Sequence, residues 1–338
     1  MYDVTRMRVI SVYPYFSNCG GAQNVALQLA ERMNGEKPVV LIETPVDAVP
    51  LSYQERAIYM PFNLANAFRL SDRHTVFISH HRKSTLKLMI LRLLLFRRLR
   101  VLHVAHSVFH NLRWLGWFPR HIVAVSETVK QNLEDYFRVP EVNITVVYNG
   151  LEDRGKNVCR DNSEAVIRIL MMGRICPLKR QVMLAQQLKD RLPSHVRLYF
   201  AGTGPDERKL RQVVAHQSQM GCLGHIQVEK EISRFHYILL FSEKEGLPLT
   251  LLESCMYGRP MLTNDIPAAL EINSDGETGF VFHDVDFLAK GLEDLPLPDS
   301  DAYQRMAANA RRRYEERFRE ETMIAAYKKI VYSMLDND

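Results

Sequence analysis

The sequence predicts an α/β protein made of two doubly wound, Rossmann-like domains that face a central cleft. The chain has 338 residues, which exceeds the length that one hydrophobic core usually serves. Short β-branched runs alternate with longer helical patterns in both halves, as in parallel sheets covered by helices on both faces. A polar segment at 149–164, with few large apolar residues, separates the halves and is interpreted as a linker.

The first half supplies an N-terminal domain, residues 1–150. Runs of β-branched and other apolar residues predict its strands at 8–12, 38–43, 75–79, 101–105, 122–125 and 144–147. Apolar residues recur at helical spacing between several of these runs and predict helices at 22–33, 84–99 and 127–137.

The second half restarts the alternation and supplies a C-terminal domain, residues 151–320. Its predicted strands lie at 167–172, 197–201, 238–241, 260–263 and 279–282, and its predicted helices at 180–192, 205–219, 249–257 and 286–292. Two longer helical patterns, 302–317 and 320–334, finish the chain. Sheets of this kind bind ligands at the carboxyl ends of their strands, so two of them predict a ligand cleft.

The composition is that of a soluble globular protein, with 46% hydrophobic and 25% charged residues. Its five cysteines are scattered without a CxxC pair, which disfavours a disulfide framework and a zinc cluster and favours a reducing compartment. The first residues resemble a strand more than a signal peptide. The longest apolar stretch, 86–96, contains Lys87 and Arg92 and is too short to span a bilayer. A cytoplasmic protein is therefore expected.

Positive charge is concentrated in one segment, 73–126, which contains no Asp or Glu. One-sided charge of this kind suggests an anionic partner such as a membrane surface, a phosphorylated lipid or a nucleic acid. A solvated helix face beside an anionic substrate pocket explains it equally well. The basic residues of this segment are Arg73, Arg82, Lys83, Lys87, Arg92, Arg97, Arg98, Arg100, Arg113 and Arg120.

Two segments of the second half carry charged side chains at the start of a helix. The first runs from Glu245 through Gly246, Leu247 and Pro248 into a helix that contains Glu253. Proline is tolerated at the first helical position, and the free N–H groups of a helix start bind anions. Carboxylates accept hydrogen bonds from sugar or ribose hydroxyls. Taken alone, however, two acidic residues near a helix start are common on protein surfaces.

The second charged segment follows the predicted strand 167–172 and contains Arg174 and Lys179. Such a pair suits a diphosphate, because Arg offers a fork of donors and Lys a mobile point charge. Two ordinary surface cations are the simpler explanation of this segment by itself.

Glycine turns and histidines mark further strand ends. Gly20 and Gly21 in Asn18-Cys19-Gly20-Gly21-Ala22, and Gly204 in Gly202-Thr203-Gly204-Pro205, would let the backbone approach a phosphate, a base or a sugar. Neither turn has the GxGxxG or P-loop spacing, so a nicotinamide site is poorly supported. His106 ends a predicted strand and could bond a substrate hydroxyl, with His80 and His81 as competitors for that role.

Together these segments resemble the retaining glycosyltransferases of family 4, whose two-domain fold is called GT-B. The matching motifs run in order along nearly the whole chain. They are the Gly20-Gly21 turn, Ala124-Val125-Ser126-Glu127 with Lys130, Val147-Tyr148-Asn149-Gly150, Gly173-Arg174 with Lys179, Gly202-Thr203-Gly204-Pro205, Glu245 to Glu253, Gly258-Arg259-Pro260, Pro267 with Glu271, and Gly276-Glu277-Thr278-Gly279-Phe280.

The resemblance implies a hexosyltransferase-type enzyme that takes a sugar from a nucleotide-diphosphate sugar, with a UDP-sugar favoured over a GDP-sugar. It implies that Arg174 and Lys179 hold the donor diphosphate and that Glu253 binds the ribose. Glu245 and His106 would contact the transferred sugar. Sugar and phosphate would also be supported by Gly20, Gly21, Gly204, Gly246 and Leu247, with Glu271 as a weaker candidate.

The family resemblance further implies that no metal is required, that the leaving diphosphate departs from the face attacked by the acceptor, and that residues 321–338 return to the first domain. The expected acceptor is a glycan or a polyprenyl-linked glycan of a bacterial surface polysaccharide (O-antigen, capsule or lipopolysaccharide). The protein would act at the inner face of the plasma membrane, with peripheral contact to anionic lipid and no nucleic acid bound.

Two other interpretations remain at this point. A GT-B sugar-nucleotide epimerase would need catalytic acids in the first domain, which the acid-free segment 73–126 disfavours. A basic membrane- or nucleic-acid-binding module without catalysis would explain the cations and the nearby Trp114, Trp117 and Phe118. That second interpretation does not explain why Arg174, Lys179 and the two glutamates are present.

Overall fold

The structure is a computed structural model and describes residues 7–17, 20–35, 37–94, 99–113, 116–155 and 166–336. The chain divides into two compact units. The first unit comprises Met1–Asn149 together with Glu321–Asp338, and the second comprises Gly150–Glu320. The predictions that involve Asn18, Cys19, Arg97, Arg98, Trp114 and the greater part of the linker lie outside the described residues.

The first unit is built on a seven-stranded parallel sheet in the order β3-β2-β1-β4-β5-β6-β7. Its strands are β1 Arg8–Val12, β2 Val39–Ile42, β3 Ile58–Pro61, β4 Thr75–Ser79, β5 Arg100–Ala105, β6 His121–Ala124 and β7 Ile144–Val146. Its helices are α1 Gly21–Asn34, α2 Leu51–Gln54, α3 Leu64–Leu70, α4 Arg82–Leu94, α5 Glu127–Asp135 and, from Glu321 on, the closing helix α13 Glu320–Asp336.

The second unit repeats the plan with a six-stranded parallel sheet in the order β10-β9-β8-β11-β12-β13. Its strands are β8 Ile167–Met172, β9 Val196–Ala201, β10 Met220–Gly224, β11 Tyr237–Leu240, β12 Met261–Asn264 and β13 Gly279–Phe282. Its helices are α6 Gln181–Leu188, α7 Glu207–Val214, α8 Val228–Glu231, α9 Leu249–Met256, α10 Pro267–Leu270, α11 Val285–Gly291 and α12 Asp301–Arg317.

Each sheet has its central strands buried on both faces. Every residue of β4 and of β11 is buried. Helices that cover both faces produce this pattern, which explains why the central strands appear in the sequence as continuous apolar runs. The prediction of two Rossmann-like α/β domains is confirmed at the level of the fold.

Some edge elements were missed by the sequence analysis. Strand β3 is half-exposed and ends in Pro61, and β10 contains two glycines, Gly221 and Gly224. Both sequences have weak strand signals because their stability comes from pairing with one neighbour. After β10 the chain forms a single helical turn, α8, at Val228–Glu231.

Two predicted helices are shorter than expected. The predicted helix at 180–192 begins at Gln181 and ends at Leu188, and the left-handed backbone of Arg180 and Asp190 brackets it. A left-handed residue other than glycine interrupts a right-handed helix. The predicted helix at 205–219 is confined to α7, because the chain enters turns on both sides of it.

In each sheet the chain first winds to one side of a central strand and then to the other. This reversal lies between β1 and β4 in the first unit and between β8 and β11 in the second. Ligands of doubly wound sheets bind outside the carboxyl ends of the strands at such a point. A ligand site is therefore expected at the loops that leave β1 and β4 in the first unit, and at those that leave β8 and β11 in the second.

Candidate active site

In the second unit, the loops after β8 and β11 are bound to each other. The Glu243 N–H donates to the Leu178 carbonyl oxygen at 2.8 Å. Lys179 ends a short 3-10 turn, Pro177–Lys179, and its Nζ forms a salt bridge with Glu245 Oε1. The side chains are 20% and 11% exposed, so water screens this ion pair only partly. Two residues predicted separately from sequence thus form one ion pair at the reversal of the sheet.

The start of α9 offers unpaired hydrogen-bonding groups beside this ion pair. Pro248 precedes the helix, and no side chain caps it. The first N–H groups of a helix have no partner within it and attract anions. The Thr250 Oγ1 and Ser242 Oγ atoms are also buried without a hydrogen-bond partner in the described part of the chain. Gly246 and Leu247 lie in the buried turn that leads to this helix start.

Glu253 lies on α9 and is partly buried. Burial, with a smaller contribution from the nearby Glu229, raises the pKa of its carboxyl group to about 7, and Arg154 opposes the shift. Arg154 in turn lies 3.9 Å from Glu229 and 3.4 Å from Glu152. A carboxyl group with a raised pKa among few partners is typical of a binding site, because a ligand can supply the hydrogen bonds that the protein does not.

Arg174 lies on the same loop as Lys179 and is exposed. Its backbone carbonyl accepts a hydrogen bond from Gln181 Nε2 at 3.0 Å, which fixes the loop. Its guanidinium has no hydrogen bond or ion pair with the described residues. It can therefore bind an anion without first breaking an internal contact.

Gly204 has a packing role. A Cβ atom at Gly204 would lie 2.1 Å from the Ile175 carbonyl oxygen, and one at Gly202 would lie 2.0 Å from that of Gly173. Only glycine allows such a close approach of two backbones. The loops after β8 and β9 meet here, so these glycines help to hold the loop that carries Arg174 and Lys179.

In the first unit, histidines cluster at the carboxyl ends of β4 and β5. His80 Nδ1 and His106 Nε2 are 3.0 Å apart, within hydrogen-bonding distance, and the two rings stack. His103 Nδ1 lies 2.7 Å from Thr85 Oγ1. His80 was a competitor of His106 for contact with a ligand; in the structure it is the buried hydrogen-bond partner of His106, and His81 is a separate neighbour that contacts Tyr15.

These histidines are held in the neutral form. Burial, together with a smaller contribution from His81, lowers the pKa of His106 to about 4. Burial, together with a smaller contribution from His106, lowers the pKa of His103 to about 3. Burial also places the pKa of His80 well below its usual range. A neutral imidazole at this edge can donate or accept a hydrogen bond but carries no charge at neutral pH.

Gly20 and Gly21 lie at the start of α1, where no side chain caps the helix. Gly20 precedes the helix with an extended backbone, and a Cβ atom there would meet Gln23 Oε1 at 2.4 Å. Gln23 Nε2 donates to the Tyr15 carbonyl oxygen at 3.0 Å. The role of Gly20 and Gly21 toward a phosphate stays a prediction.

The basic segment 73–126 does not form a uniform cationic surface. Lys83 and Lys87 both pair with Glu43, and their hydrogen bonds and charges lower the pKa of that carboxylate despite its partial burial. Arg82 binds Asn111 and stacks over Phe109 with 4.0 Å between its Cζ atom and the ring centroid. The cations near the carboxyl ends of the strands are therefore largely engaged within the protein.

Two features are absent from the described residues. None of their helices is both long enough and apolar enough to cross a membrane. Among the same residues, no three or more ligating side chains come together as a candidate metal site.

Two family models match this chain. The model of Glycosyltransferase Family 4 matches residues 19–154, and the model of Glycosyl transferases group 1 matches residues 167–296. The fold and the matches define a GT-B glycosyltransferase. The chain belongs to the family 4 glycosyltransferases that its motifs resemble.

Curated relatives match part of the chain. N-acetyl-alpha-D-glucosaminyl L-malate synthase of Bacillus anthracis is 28% identical over 149 residues, 42% of this chain and 39% of the relative. The O-antigen biosynthesis glycosyltransferase WbnH of Escherichia coli is 23% identical over 219 residues, 65% of this chain and 62% of the relative. The matched part of the chain thus spans less than two thirds of either relative.

Solved structures share the fold across nearly the full length. Anabaena HepE in complex with UDP has a TM-score of 0.84 at 15% identity, covering 97% of this chain and 100% of that one. A glycosyltransferase from Rickettsia africae gives 0.81 at 17% identity, covering 98% and 100%. The lipopolysaccharide outer core galactosyltransferase WaaB gives 0.75 at 17% identity, covering 97% and 99%.

The sequence analysis missed several residues of the site. Thr250 and Ser242 carry buried hydroxyls near the helix start, and Glu229 and Arg154 form the electrostatic surroundings of Glu253. A hydroxyl at the second position of a helix that lacks a capping side chain could have indicated Thr250. Glu229 and Arg154 gave no signal, because they are 24 and 99 residues from Glu253 in sequence and only the fold brings them near it.

Proposed function

We propose that this protein transfers a sugar from a nucleotide-diphosphate sugar to a hydroxyl group of a glycan or lipid-linked glycan. The observation that carries this proposal is the Lys179–Glu245 ion pair beside the open start of α9, at the reversal of the second sheet. The second unit offers a cation and free backbone N–H groups, which suit a diphosphate. It also offers two carboxyl groups, which suit a sugar and a ribose, so together these groups match the parts of a nucleotide sugar.

In this proposal Lys179 and Arg174 bind the diphosphate and stabilise the negative charge that develops as it leaves. An ammonium group has three hydrogens, so Lys179 can keep its bond to Glu245 and still donate to phosphate oxygens. Glu245 thereby orients Lys179 and has a second carboxylate oxygen for a sugar hydroxyl. The start of α9 adds fixed dipoles that need no reorganisation when charge develops.

Glu253 is assigned to the ribose hydroxyls. They would donate hydrogen bonds to its carboxylate and stabilise the charged form, which burial disfavours. A UDP-sugar is the favoured donor, and the UDP complex of Anabaena HepE supports that choice. Residues Gly20, Gly21 and His106 keep their assigned roles toward phosphate and sugar as predictions.

Retention of the anomeric configuration, without a metal and with departure from the attacked face, follows from the family resemblance. The cations and helix start of the second unit support the metal-free part, because they supply positive charge where a divalent ion otherwise would. NMR of the product anomer and activity in excess chelator check the two points. An inverted product or complete loss of activity with chelator would contradict them.

A bacterial surface polysaccharide is the proposed pathway, which the O-antigen relative supports. The acceptor would be a lipid-linked glycan met by the protein at the inner face of the plasma membrane. Peripheral contact with anionic lipid is therefore part of the proposal, and the uneven distribution of charge in the first unit supports it.

Binding of UDP tests the donor site directly. Lys179→Met removes the cation without changing the fold of the loop and is expected to weaken UDP binding about 10- to 100-fold, the usual effect of losing a charged hydrogen bond. Isothermal titration calorimetry with UDP measures this. Lys189→Met, an exposed lysine of the same unit, is the matched control and should bind like the parent protein.

Equal UDP affinity of the Lys179→Met and parent proteins would overturn the assignment of Lys179. A parent protein that binds no nucleoside diphosphate, and neither hydrolyses nor transfers any of a panel of nucleotide sugars, would overturn the proposed function itself.

A further inference from the structure

A large cavity lies at the amino edge of the first sheet, opposite the edge that carries His80 and His106. It has a volume of about 700 Å³ and lies where β5 and β6 begin. Its walls include Arg92 at the end of α4, Arg100, Trp117, Arg120 and Met334 of α13. A second cavity of about 350 Å³ shares Arg120 and is bordered by Val142 and Ile330. The carboxyl edge, where sheets of this type bind their substrates, is not involved.

The described lining of the cavity is cationic. None of the described residues that line it is acidic. Arg92 and Arg120 are exposed and have no hydrogen bond or ion pair with the described residues. Arg100 is anchored, because its Nε and Nη1 atoms donate to the Met334 and Arg73 carbonyl oxygens at 3.1 and 2.9 Å. The basic segment therefore divides into engaged cations at one edge and available ones at the other.

Apolar side chains are exposed next to these arginines. Leu93 and Leu94, the last residues of α4, are 61% and 63% exposed, Trp117 is 41% exposed and Val142 is 91% exposed. Single exposed apolar residues are common on proteins, but several beside unpaired arginines on one edge indicate a surface that contacts both anions and hydrocarbon. Lysine- and arginine-rich surfaces with leucine and tryptophan are typical of the membrane interface.

We propose that this amino edge is a docking surface for an anionic phospholipid bilayer. Arg92 and Arg120 would bind lipid phosphates at the mouth of the cavity, and Leu93, Leu94 and Trp117 would enter the boundary between head groups and acyl chains. Charge complementarity selects an anionic surface, and the leucines favour lipid over nucleic acid, whose backbone offers them no apolar partner. The inference deepens the proposed function, on whose lipid-linked acceptor it rests.

Sedimentation of the full-length protein with vesicles tests the docking surface without donor or acceptor. Vesicles containing phosphatidylglycerol should bind the protein, vesicles of phosphatidylcholine alone should not, and binding should weaken as salt is raised. The double variant Arg92→Gln/Arg120→Gln is expected to bind about thirtyfold more weakly, from the usual contribution of two basic residues near an anionic surface. Arg305→Gln/Arg312→Gln, two exposed arginines of α12, is the control with the same charge change and should bind normally.

A second variant tests the apolar half of the surface. Leu93→Ser/Leu94→Ser alters side chains that are more than half exposed, so the fold should be kept, as circular dichroism can verify. It should lose binding at least tenfold while the salt dependence remains.

Four results would overturn the proposal: no binding to anionic vesicles, equal loss in the α12 control, unchanged binding of the leucine variant, or full displacement by inorganic phosphate, which would indicate a site for a free anion. Loss of duplex DNA binding in the arginine variant without vesicle binding by the parent would identify a nucleic-acid surface instead. UDP binding is measured separately by calorimetry. A negative result with vesicles therefore does not affect the donor site, which the UDP result alone tests.

Discussion

Glu253 is the residue whose environment departs furthest from that of an ordinary helical glutamate. Its pKa of about 7 lies above the value of about 4.5 expected in the unfolded chain, so the folded protein prefers the neutral carboxyl group. A raised folded-state pKa means that the folded protein binds the proton more tightly. The associated stability is complete at low pH and is lost as the pH rises through 7. The protein retains Glu253 although this stability is lost at neutral pH and above, which is consistent with a role in ligand binding.

Glu253→Gln should therefore stabilise the protein more at high pH than at low pH. The amide imitates the neutral carboxyl group, and the gain in free energy of unfolding should be about 2 kcal/mol larger at pH 8.5 than at pH 5.5. Urea denaturation of both proteins at the two pH values measures it. Glu243→Gln, an exposed neighbour, controls for the change in net charge. A gain that does not vary with pH would show that Glu253 is charged in the folded state throughout.

At the scale of elements, the closing helix α13 is stabilised by the side chains that it buries in the first unit. Tyr327 and Val331 are fully buried, and Met323 and Met334 are nearly so. The Tyr327 hydroxyl has no hydrogen-bond partner in the described part of the chain, and burial raises its pKa. The ring contributes apolar contact while the hydroxyl contributes a desolvation cost.

Two substitutions separate the two contributions of Tyr327. Tyr327→Ala should destabilise the protein by about 3 to 5 kcal/mol, as for other buried aromatic side chains, because it leaves a cavity. Tyr327→Phe keeps the ring and removes an unpaired polar atom, so it should cost less than about 1 kcal/mol or stabilise. Chemical denaturation gives both values. If the Phe variant lost as much stability as the Ala variant, a hydrogen bond of the hydroxyl would have to be the main contribution.

The elements also show which parts of the fold are predictable from sequence. Strands β1, β4, β8 and β13 were predicted to the residue, because both faces of these strands are buried or their limits are set by turn residues. Strands β3 and β10 were not, because proline and glycine weaken their local signal and a neighbouring strand determines their pairing. Ser126, part of a family motif, caps α5 by accepting a hydrogen bond from the Val129 N–H at 3.1 Å.

The candidate site was likewise predictable only in part. Lys179 and Glu245 could each be proposed from strand-end positions, but their ion pair could not, since 66 residues separate them. The pKa of Glu253 is raised mainly by burial, with Glu229 adding to the shift and Arg154 opposing it, and only the fold provides these surroundings. Gly204 was assigned to a ligand, whereas its close contact with Ile175 already requires glycine. Local chemistry is visible in sequence, and the pairing of distant groups is not.

At the scale of the whole molecule, the second unit is continuous in sequence and the first is not. The ends of the second unit are joined to each other. Leu151 pairs with Arg319 in a parallel bridge, its carbonyl oxygen accepts from the Tyr314 hydroxyl at 2.7 Å, and the Glu320 N–H donates to the same oxygen at 3.0 Å. Ends that meet in this way make a unit capable of folding alone.

A fragment of residues 150–320 is therefore expected to unfold cooperatively, whereas a fragment of residues 1–149 lacks the buried face of α13 and should be much less stable. Denaturation followed by circular dichroism compares the two fragments. Adding the 321–338 peptide in trans should stabilise the first fragment and leave the second unchanged. Equal stability of the two fragments without the peptide would contradict this expectation.

The separation of α13 from the rest of the first unit also has a consequence for biosynthesis. A ribosome makes residues 1–149 first, yet the helix that completes their core emerges only after the whole second unit has been made. The second unit can reach its native state while the first unit, although made earlier, still exposes the apolar surface that α13 covers. During synthesis, the N-terminal part of the chain is thus the part that most needs a chaperone, until α13 has emerged and packed against it.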